Sequence, residues 1–283
     1  MLGRALCQEL SGRYEVIGID IVKLTTKDQR PTTFIECDIT DGEETIANIA
    51  SVKPDTVIHT AACTDVDGCE QNPEKAHRVN ALGTETIALA CRKCGAFLYY
   101  ISTDFVFDGE KESAYVEKDL PNPVNIYGKS KFDGEKFVQS LLKDFIIVRS
   151  SWLFGKGGRN FVDTLLNKAK SERRIKVVDD QFGSPTYTRD LGRAINRLIG
   201  STERLSGIYH ITNSGSCSWH EFAKEILKVR GVSGVVLEPA TSGDINRPAR
   251  RPKMSILENQ RYQELTGEKL RPWQDALKEY LLE

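Results

Sequence analysis

The chain has no apolar run near the roughly 20 residues that a membrane-spanning helix needs, so a spanning protein is not expected. It also has almost no charge excess. Its 283 residues carry 39 Lys+Arg against 40 Asp+Glu, a formal net charge of −1, which gives no electrostatic pull toward nucleic acid or an anionic membrane surface. The opening Met1-Leu2-Gly3-Arg4-Ala5-Leu6-Cys7 does not show the charged-then-apolar layout of a secretory signal, and a cytoplasmic location is the expectation. Seven cysteines, an odd number in a long chain, are not a disulfide framework. Cys91-Arg92-Lys93-Cys94 resembles half a zinc knuckle, but no second CxxC or HxxxH answers it, and Cys63 and Cys69 are spaced wrongly for one. We therefore expect reduced thiols and no metal site. Repeats and low-complexity segments are missing too. With 40% hydrophobic and 28% charged residues the composition is that of an ordinary globular protein, large enough for one big domain or two intimate ones.

Short β-branched runs alternate with longer helical patterns through the first half, the rhythm of an α/β fold with a parallel sheet covered on both faces. Strands are expected at Tyr14 to Asp20, Thr33 to Asp38, Thr56 to Ala62, Phe97 to Ser102 and Phe145 to Arg149, and again at Gly207 to Ile211. Helices are expected at Glu43 to Val52, Pro73 to Cys94, Tyr127 to Leu142, Asn160 to Lys170 and Thr188 to Ile199, with two more after Ser218. The layout reads as a Rossmann-like doubly wound sheet, 1–150 with 186–213, and a smaller C-terminal substrate domain, 151–185 with 214–283, roofing the strand ends.

A dinucleotide fold normally starts with a strand and a glycine-rich turn before its first helix. Here Gly3 to Leu10 already reads as that helix, with Gly3 in the place of the last glycine. The first strand and the earlier glycines are absent from this sequence; if the chain is complete, much of the pyrophosphate cradle is missing and cofactor affinity is expected to fall.

The strongest chemical signal is Tyr127-Gly128-Lys129-Ser130-Lys131. A Tyr and a Lys four apart at a helix start share one face. A nearby ammonium favours phenolate, lowering the tyrosine pKa, so Tyr127 suits a proton donor to a carbonyl under reduction, and Lys131 can also hold a ribose hydroxyl. By itself the spacing is common, and a surface Tyr beside a solvated Lys is the competing reading. Ser102-Thr103-Asp104 closes a predicted strand at its functional edge, where Thr103 can donate to the carbonyl oxygen; a turn that merely caps the strand is the alternative. Thr60-Ala61-Ala62 ends another strand in small residues that allow a flat cofactor to approach, or that serve only helix–sheet packing. Asp20 stands where an acid takes adenosine ribose hydroxyls, with Lys23 near enough for a ribose phosphate, and Asp38-Ile39 where the adenine amino group would lie. Either acid serves equally as a helix N-cap.

Longer blocks make a family resemblance. Thr103-Asp104-Phe105-Val106-Phe107-Asp108-Gly109, the Tyr127–Lys131 motif with Gly134-Glu135, Arg149-Ser150-Ser151-Trp152, Asn160-Phe161-Val162, Asp180-Gln181-Phe182-Gly183-Ser184-Pro185-Thr186 and Arg251-Pro252-Lys253-Met254-Ser255-Ile256-Leu257 span nearly the whole chain. It resembles the extended short-chain dehydrogenase/reductases, and more narrowly the dTDP-4-dehydrorhamnose reductases. The resemblance implies reduction of the C4 ketone of a nucleotide-linked 6-deoxy-hexulose by NADPH or NADH. It implies Tyr127 as acid, Lys131 as its tuner and ribose ligand, and Thr103 with Asp104 at the substrate carbonyl. Gly3, Asp20, Asp38, Ile39, Thr60, Ala61, Ala62 and Ser102 would line the cofactor, Trp152 the sugar, and Asn160 the nucleotide side. A homodimer is the expected assembly. Some relatives bridge their dimers with magnesium through a Glu two residues after the last glycine, but that position is Ala5 here, so the magnesium site is not expected. Two rivals share the fold. A 4,6-dehydratase needs an acid directly after Thr-Asp, where this chain has Phe105, and epimerases lack the Asp-Gln-x-Gly-x-Pro-Thr block. A regulatory subunit like the β-subunit of methionine adenosyltransferase would keep the fold and bind a catalytic partner instead.

Overall fold

The computed structural model describes residues 1–22, 33–201 and 205–283; Lys23 lies outside them. Alternating apolar runs become short parallel strands: β1 (Ile17–Asp20), β2 (Thr33–Glu36), β3 (Thr56–His59), β4 (Phe97–Thr103) and β5 (Phe145–Ser150). Between them run α1 (Leu2–Leu10), ahead of β1, then α2 (Gly42–Val52), α3 (Val66–Gln71), α4 (Pro73–His77), α5 (Gly83–Cys94) and α6 (Ile126–Leu141). The second half adds β6 (Leu153–Phe154), α7 (Phe161–Ala169), β7 (Arg174–Val178), β8 (Phe182–Gly183), β9 (Thr186–Tyr187), α8 (Thr188–Ile199) and β10 (Gly207–His210). It closes with β11 (Cys217–Ser218), α9 (Trp219–Val229), β12 (Val236–Ala240), α10 (Gln260–Thr266) and α11 (Trp273–Leu282). No helix of the described residues is long and apolar enough to cross a membrane.

The main sheet runs β10-β5-β4-β3, all parallel, and β1-β2 form a separate parallel pair. Among the described residues no strand joins β1 to β3. The two pieces nevertheless share the same covering layers. On one face Val16 and Ile58 pack with Leu2, Leu6 and Leu10 of α1 and Leu191, Ile195 and Leu198 of α8. On the other, Ile19 and Val57 join Ile49, Ile87, Cys91 and Val138 from α2, α5 and α6. Residues alternate across a strand, so this division by face follows directly from the sequence pattern. β4 is buried from Leu98 to Thr103, as a sheet covered twice must be, and each such aliphatic side chain contributes about 1.5–3 kcal/mol of burial.

A third cluster gathers Phe154, Val162, Leu165, Ile175, Phe222 and Trp273 with Leu277 and Tyr280, supported by the parallel pair β7–β12. That pair joins segments some sixty residues apart and has no local signature. Two other departures from the sequence expectation have local causes. The long helix expected from Pro73 to Cys94 is interrupted by a π-turn at Arg78–Leu82, which turns the Asn80 side chain inward, fully buried. The strand expected through Ala62 ends at His59, because Cys63 is held by Asn80 and not by a neighbouring strand: Cys63 N donates to Asn80 Oδ1 (2.7 Å) and Asn80 Nδ2 to Cys63 O (3.0 Å).

Candidate active site

Three chain segments meet at the C-terminal edge of the main sheet: the end of β4, the start of α6 and the turn after β5. At the first, Thr103 Oγ1 donates to Asp104 Oδ1 (3.0 Å) and accepts from Phe105 N (3.2 Å). Asp104 is 2% exposed, and Ser151 Oγ, just past β5, donates to its other oxygen at 3.0 Å. Burial raises this carboxyl to about 6, against hydrogen bonds from Ser255, Ser151 and Thr103 that pull the other way. At the second segment, Asn125 caps α6 by accepting from Gly128 N at 2.8 Å, the role its residue type predicts at an N-cap. Gly128 has to be glycine: a Cβ there would run into the Phe105 backbone carbonyl, so its absence lets the helix start lie against the β4 loop. Tyr127 is thereby set edge-on to Phe105 (ring centroids 5.8 Å, 74°), near the Thr103 hydroxyl.

Thr103, Asp104 and Tyr127 are thus brought together at one strand end. Lys131 lies one turn on, but its ammonium goes elsewhere. Nζ donates to Ile101 O (2.7 Å) and sits 4.1 Å from the Tyr100 ring centroid. Burial lowers it to about 7, opposed by Glu135. Burial pushes the Tyr127 phenol above the ordinary range, opposed by the nearby Thr103 hydroxyl. Beneath Lys131 lies a buried ion pair that the sequence did not reveal. Arg149 donates to Glu135 through Nε (3.0 Å) and an Nη (2.7 Å), and Ser102 Oγ donates to the same carboxylate at 2.5 Å. The Ser102 hydroxyl, expected at the cofactor, therefore points into the core.

The other expected cofactor residues lie along the strand ends. Gly3, at the start of α1, packs so near Thr60 that a Cβ would sit 3.3 Å from its Oγ1. Asp20 ends β1 exposed, accepting from Val22 N, and feels the charge of the Met1 amino group. Asp38 is also exposed, accepting from Thr40 N at 2.9 Å, while its neighbour Ile39 is buried core. Ala61 is exposed and Ala62 partly so. A side-chain-free position against Thr60 with two accessible carboxylates at successive strand ends fits a dinucleotide.

Trp152 has a left-handed backbone, φ 47°, a conformation costly for a bulky residue. Its indole stacks on Trp219 (centroids 3.5 Å, planes 8° apart), and a Cβ at Gly183 would collide with it. Asn160 is placed differently from the expectation. It caps α7, accepting from Asp163 N at 3.0 Å and donating to Gly155 O at 3.1 Å, so its polar atoms serve the helix start.

Sequence reasoning missed a basic strap. Arg251 holds Asp67 of α3 with two nitrogens (2.6 and 2.7 Å), and Arg250 O accepts from Asn125 Nδ2 (2.7 Å), next to Tyr127. The strap walls a cavity of about 270 Å³ lined by Gln181, Ser242, Arg247, Arg251 and Lys253 among others. The Pro/Arg-rich stretch from Arg247 to Pro252 was the available signal.

The RmlD substrate binding domain family matches residues 1–283. The chain is 38% identical over 283 residues to the spore coat polysaccharide biosynthesis protein SpsK of Bacillus subtilis, covering 100% of this chain and 94% of that one. Among solved structures, a dTDP-4-dehydrorhamnose reductase from Clostridium acetobutylicum superposes with a TM-score of 0.87 at 38% identity, covering 99% of this chain and 94% of that one. The dTDP-4-dehydrorhamnose reductase of Bacillus anthracis, solved in complex with NADP, gives 0.86 at 36% identity, covering 94% and 98%. Its Rossmann-like α/β fold and its match along the full length make this chain a member of the RmlD substrate binding domain family.

Proposed function

We propose that this chain reduces the C4 ketone of a dTDP-linked 4-keto-6-deoxy-hexose, dTDP-4-dehydrorhamnose, to dTDP-L-rhamnose. The chain is an NAD(P)-dependent oxidoreductase of the family just described. The observation that carries the substrate reading is the grouping of Thr103, Asp104 and Tyr127 at the end of β4, beside an arginine-bearing strap whose Arg250 carbonyl accepts from Asn125. Bound at the Gly3, Asp20 and Thr60 edge, NADPH or NADH supplies hydride.

The chain's own residues do the rest. Thr103 and Tyr127 converge on one carbonyl oxygen, and the Tyr127 hydroxyl gives its proton to that oxygen as it gains negative charge. A phenol held above its ordinary range stays protonated until that moment. The buried Asp104 and Ser151 hold Thr103 in place. Lys131, whose ammonium donates to the Ile101 carbonyl, is the residue assigned to a ribose hydroxyl in this reading. The cationic strap suits the diphosphate, and the Trp152 face suits the sugar or base.

The test is direct. Purified chain, NADPH and enzymatically prepared dTDP-4-dehydrorhamnose are mixed, and nicotinamide absorbance is followed with mass analysis of the product. Loss of NADPH matched by dTDP-rhamnose supports the reading; no oxidation of NADPH or NADH, or a dehydrated or epimerised product, overturns it.

A further inference from the structure

Cys63 and Cys69 are the feature that this function does not use. Cys63 follows Ala62 in the loop after β3 and is partly exposed; Cys69 sits in α3 with no exposed surface. Their sulfurs lie 3.6 Å apart, and Cys69 Sγ also approaches the Cys63 carbonyl at 3.5 Å. Cys91 and Cys94, closer in sequence, are arranged otherwise: Cys94 Sγ bonds back to the Cys91 carbonyl at 3.7 Å.

The pair lies in the shell that holds the start of α6. Asn80, which clamps the Cys63 backbone, also donates to Ser130 Oγ (2.9 Å), and Ser130 Oγ donates to Tyr127 O (2.8 Å). Glu70, the neighbour of Cys69, accepts from Ile126 N at 3.0 Å. We propose that Cys63 and Cys69 are an oxidation site, closing to a reversible disulfide that slows turnover at Tyr127.

The chemistry balances with a low-molecular-weight disulfide as oxidant. The partly exposed Cys63 thiolate attacks one sulfur of that disulfide, forming a mixed disulfide and expelling one thiolate. Cys69, deprotonated, then attacks the Cys63 sulfur and expels the second. The two cysteines lose two electrons, the oxidant gains them, and the two cysteine protons end on the released thiols. Burial and the neighbouring Cys63 hold the Cys69 thiol well above its ordinary range, so the second step is slow near neutrality and speeds up with pH. A disulfide needs the sulfurs at about 2.05 Å, so they must close by about 1.5 Å. The Cys63 backbone is pinned by Asn80, so the movement falls on α3 and is passed through Glu70 to the residue before Tyr127.

The folded chain is incubated with oxidised glutathione, alkylated and mapped by mass spectrometry. The expected result is loss of two hydrogens in a Cys63–Cys69 cross-link, reversed by dithiothreitol, while Cys69→Ser stops at a glutathione adduct on Cys63. An adduct on wild-type Cys63 with Cys69 still free, a link between other cysteines, or no reaction overturns the proposal. The turnover arm rests on the reductase reading: NADPH oxidation falls several-fold on oxidation and recovers with dithiothreitol, but does not fall in Cys63→Ser. Unchanged turnover in fully cross-linked wild type overturns the regulatory half. A chain that never oxidises NADPH sinks the reductase reading while the mapping still decides the thiol chemistry.

Discussion

The β4–β5 edge and the β1–β2 edge of the nucleotide-binding half are built on opposite plans. At β4–β5 the polar groups are buried and mutually bonded: Arg149 and Glu135 are 1% and 0% exposed, and Lys131 is 3%. At β1–β2 the acids Asp20 and Asp38 are exposed, and among the described residues they accept from Val22 N and Thr40 N of their own turns. Side chains that must meet a reacting carbonyl within tenths of an ångström need rigid support, which low-dielectric ion pairs supply. Side chains that only grip a cofactor's far end need reach and wetness. The two edges should therefore respond differently to substitution.

The sharpest break is at Tyr127. In Tyr127→Phe the proton donor is gone, and kcat should drop by about 10²–10⁴ with cofactor affinity nearly unchanged; steady-state kinetics with a separate NADPH titration reads both. Next comes the buried pair. Glu135→Gln leaves the Arg149 guanidinium without its counter-charge and should cost about 3–5 kcal/mol in urea unfolding. The double variant Glu135→Gln with Arg149→Met should recover much of that. Asp104 gives a pH signature of about 3 kcal/mol. Its native carboxyl titrates at about 6, above the ordinary 3.8, so the folded state binds this proton more tightly than the unfolded chain. Its contribution to stability is therefore fully present below about pH 4 and is lost as pH rises to 6. Asp104→Asn removes that dependence, so the variant should gain on wild type between pH 4 and 7 by that amount. The smallest effect belongs to the wet edge. Asp20→Ala should leave stability within about 0.5 kcal/mol and weaken cofactor binding about fivefold, measured by fluorescence titration.

How much of this was visible in the sequence follows the same division. β-branched runs announced the strands, and helix α8 falls at Thr188–Ile199 as its pattern predicts, because both are governed by local period. The Tyr127 motif and Thr103 were legible for the same reason: each sits at an element end whose type the pattern reveals. Periodicity says nothing about where a long side chain goes, so the Lys131 ammonium, directed to Ile101 and not to Tyr127, was out of reach. Pairings across distance were equally hidden: Asp67 with Arg251, Glu135 with Arg149, and β7 with β12. α3, with six residues and Gly68 inside, is too short to show a stripe and was missed. Its capping Asp65 was the one local clue.

The Trp152–Trp219 stack has a consequence for measurement. Two indoles 3.5 Å apart, with planes 8° from parallel, couple their electronic excitations, so the folded chain should carry an ultraviolet circular dichroism signal that Trp219→Phe changes. Any separation of the two rings, or any turn of the Trp152 backbone out of the left-handed region, would change that signal. The protein thus contains its own optical gauge of this stack, readable without a label and without turnover.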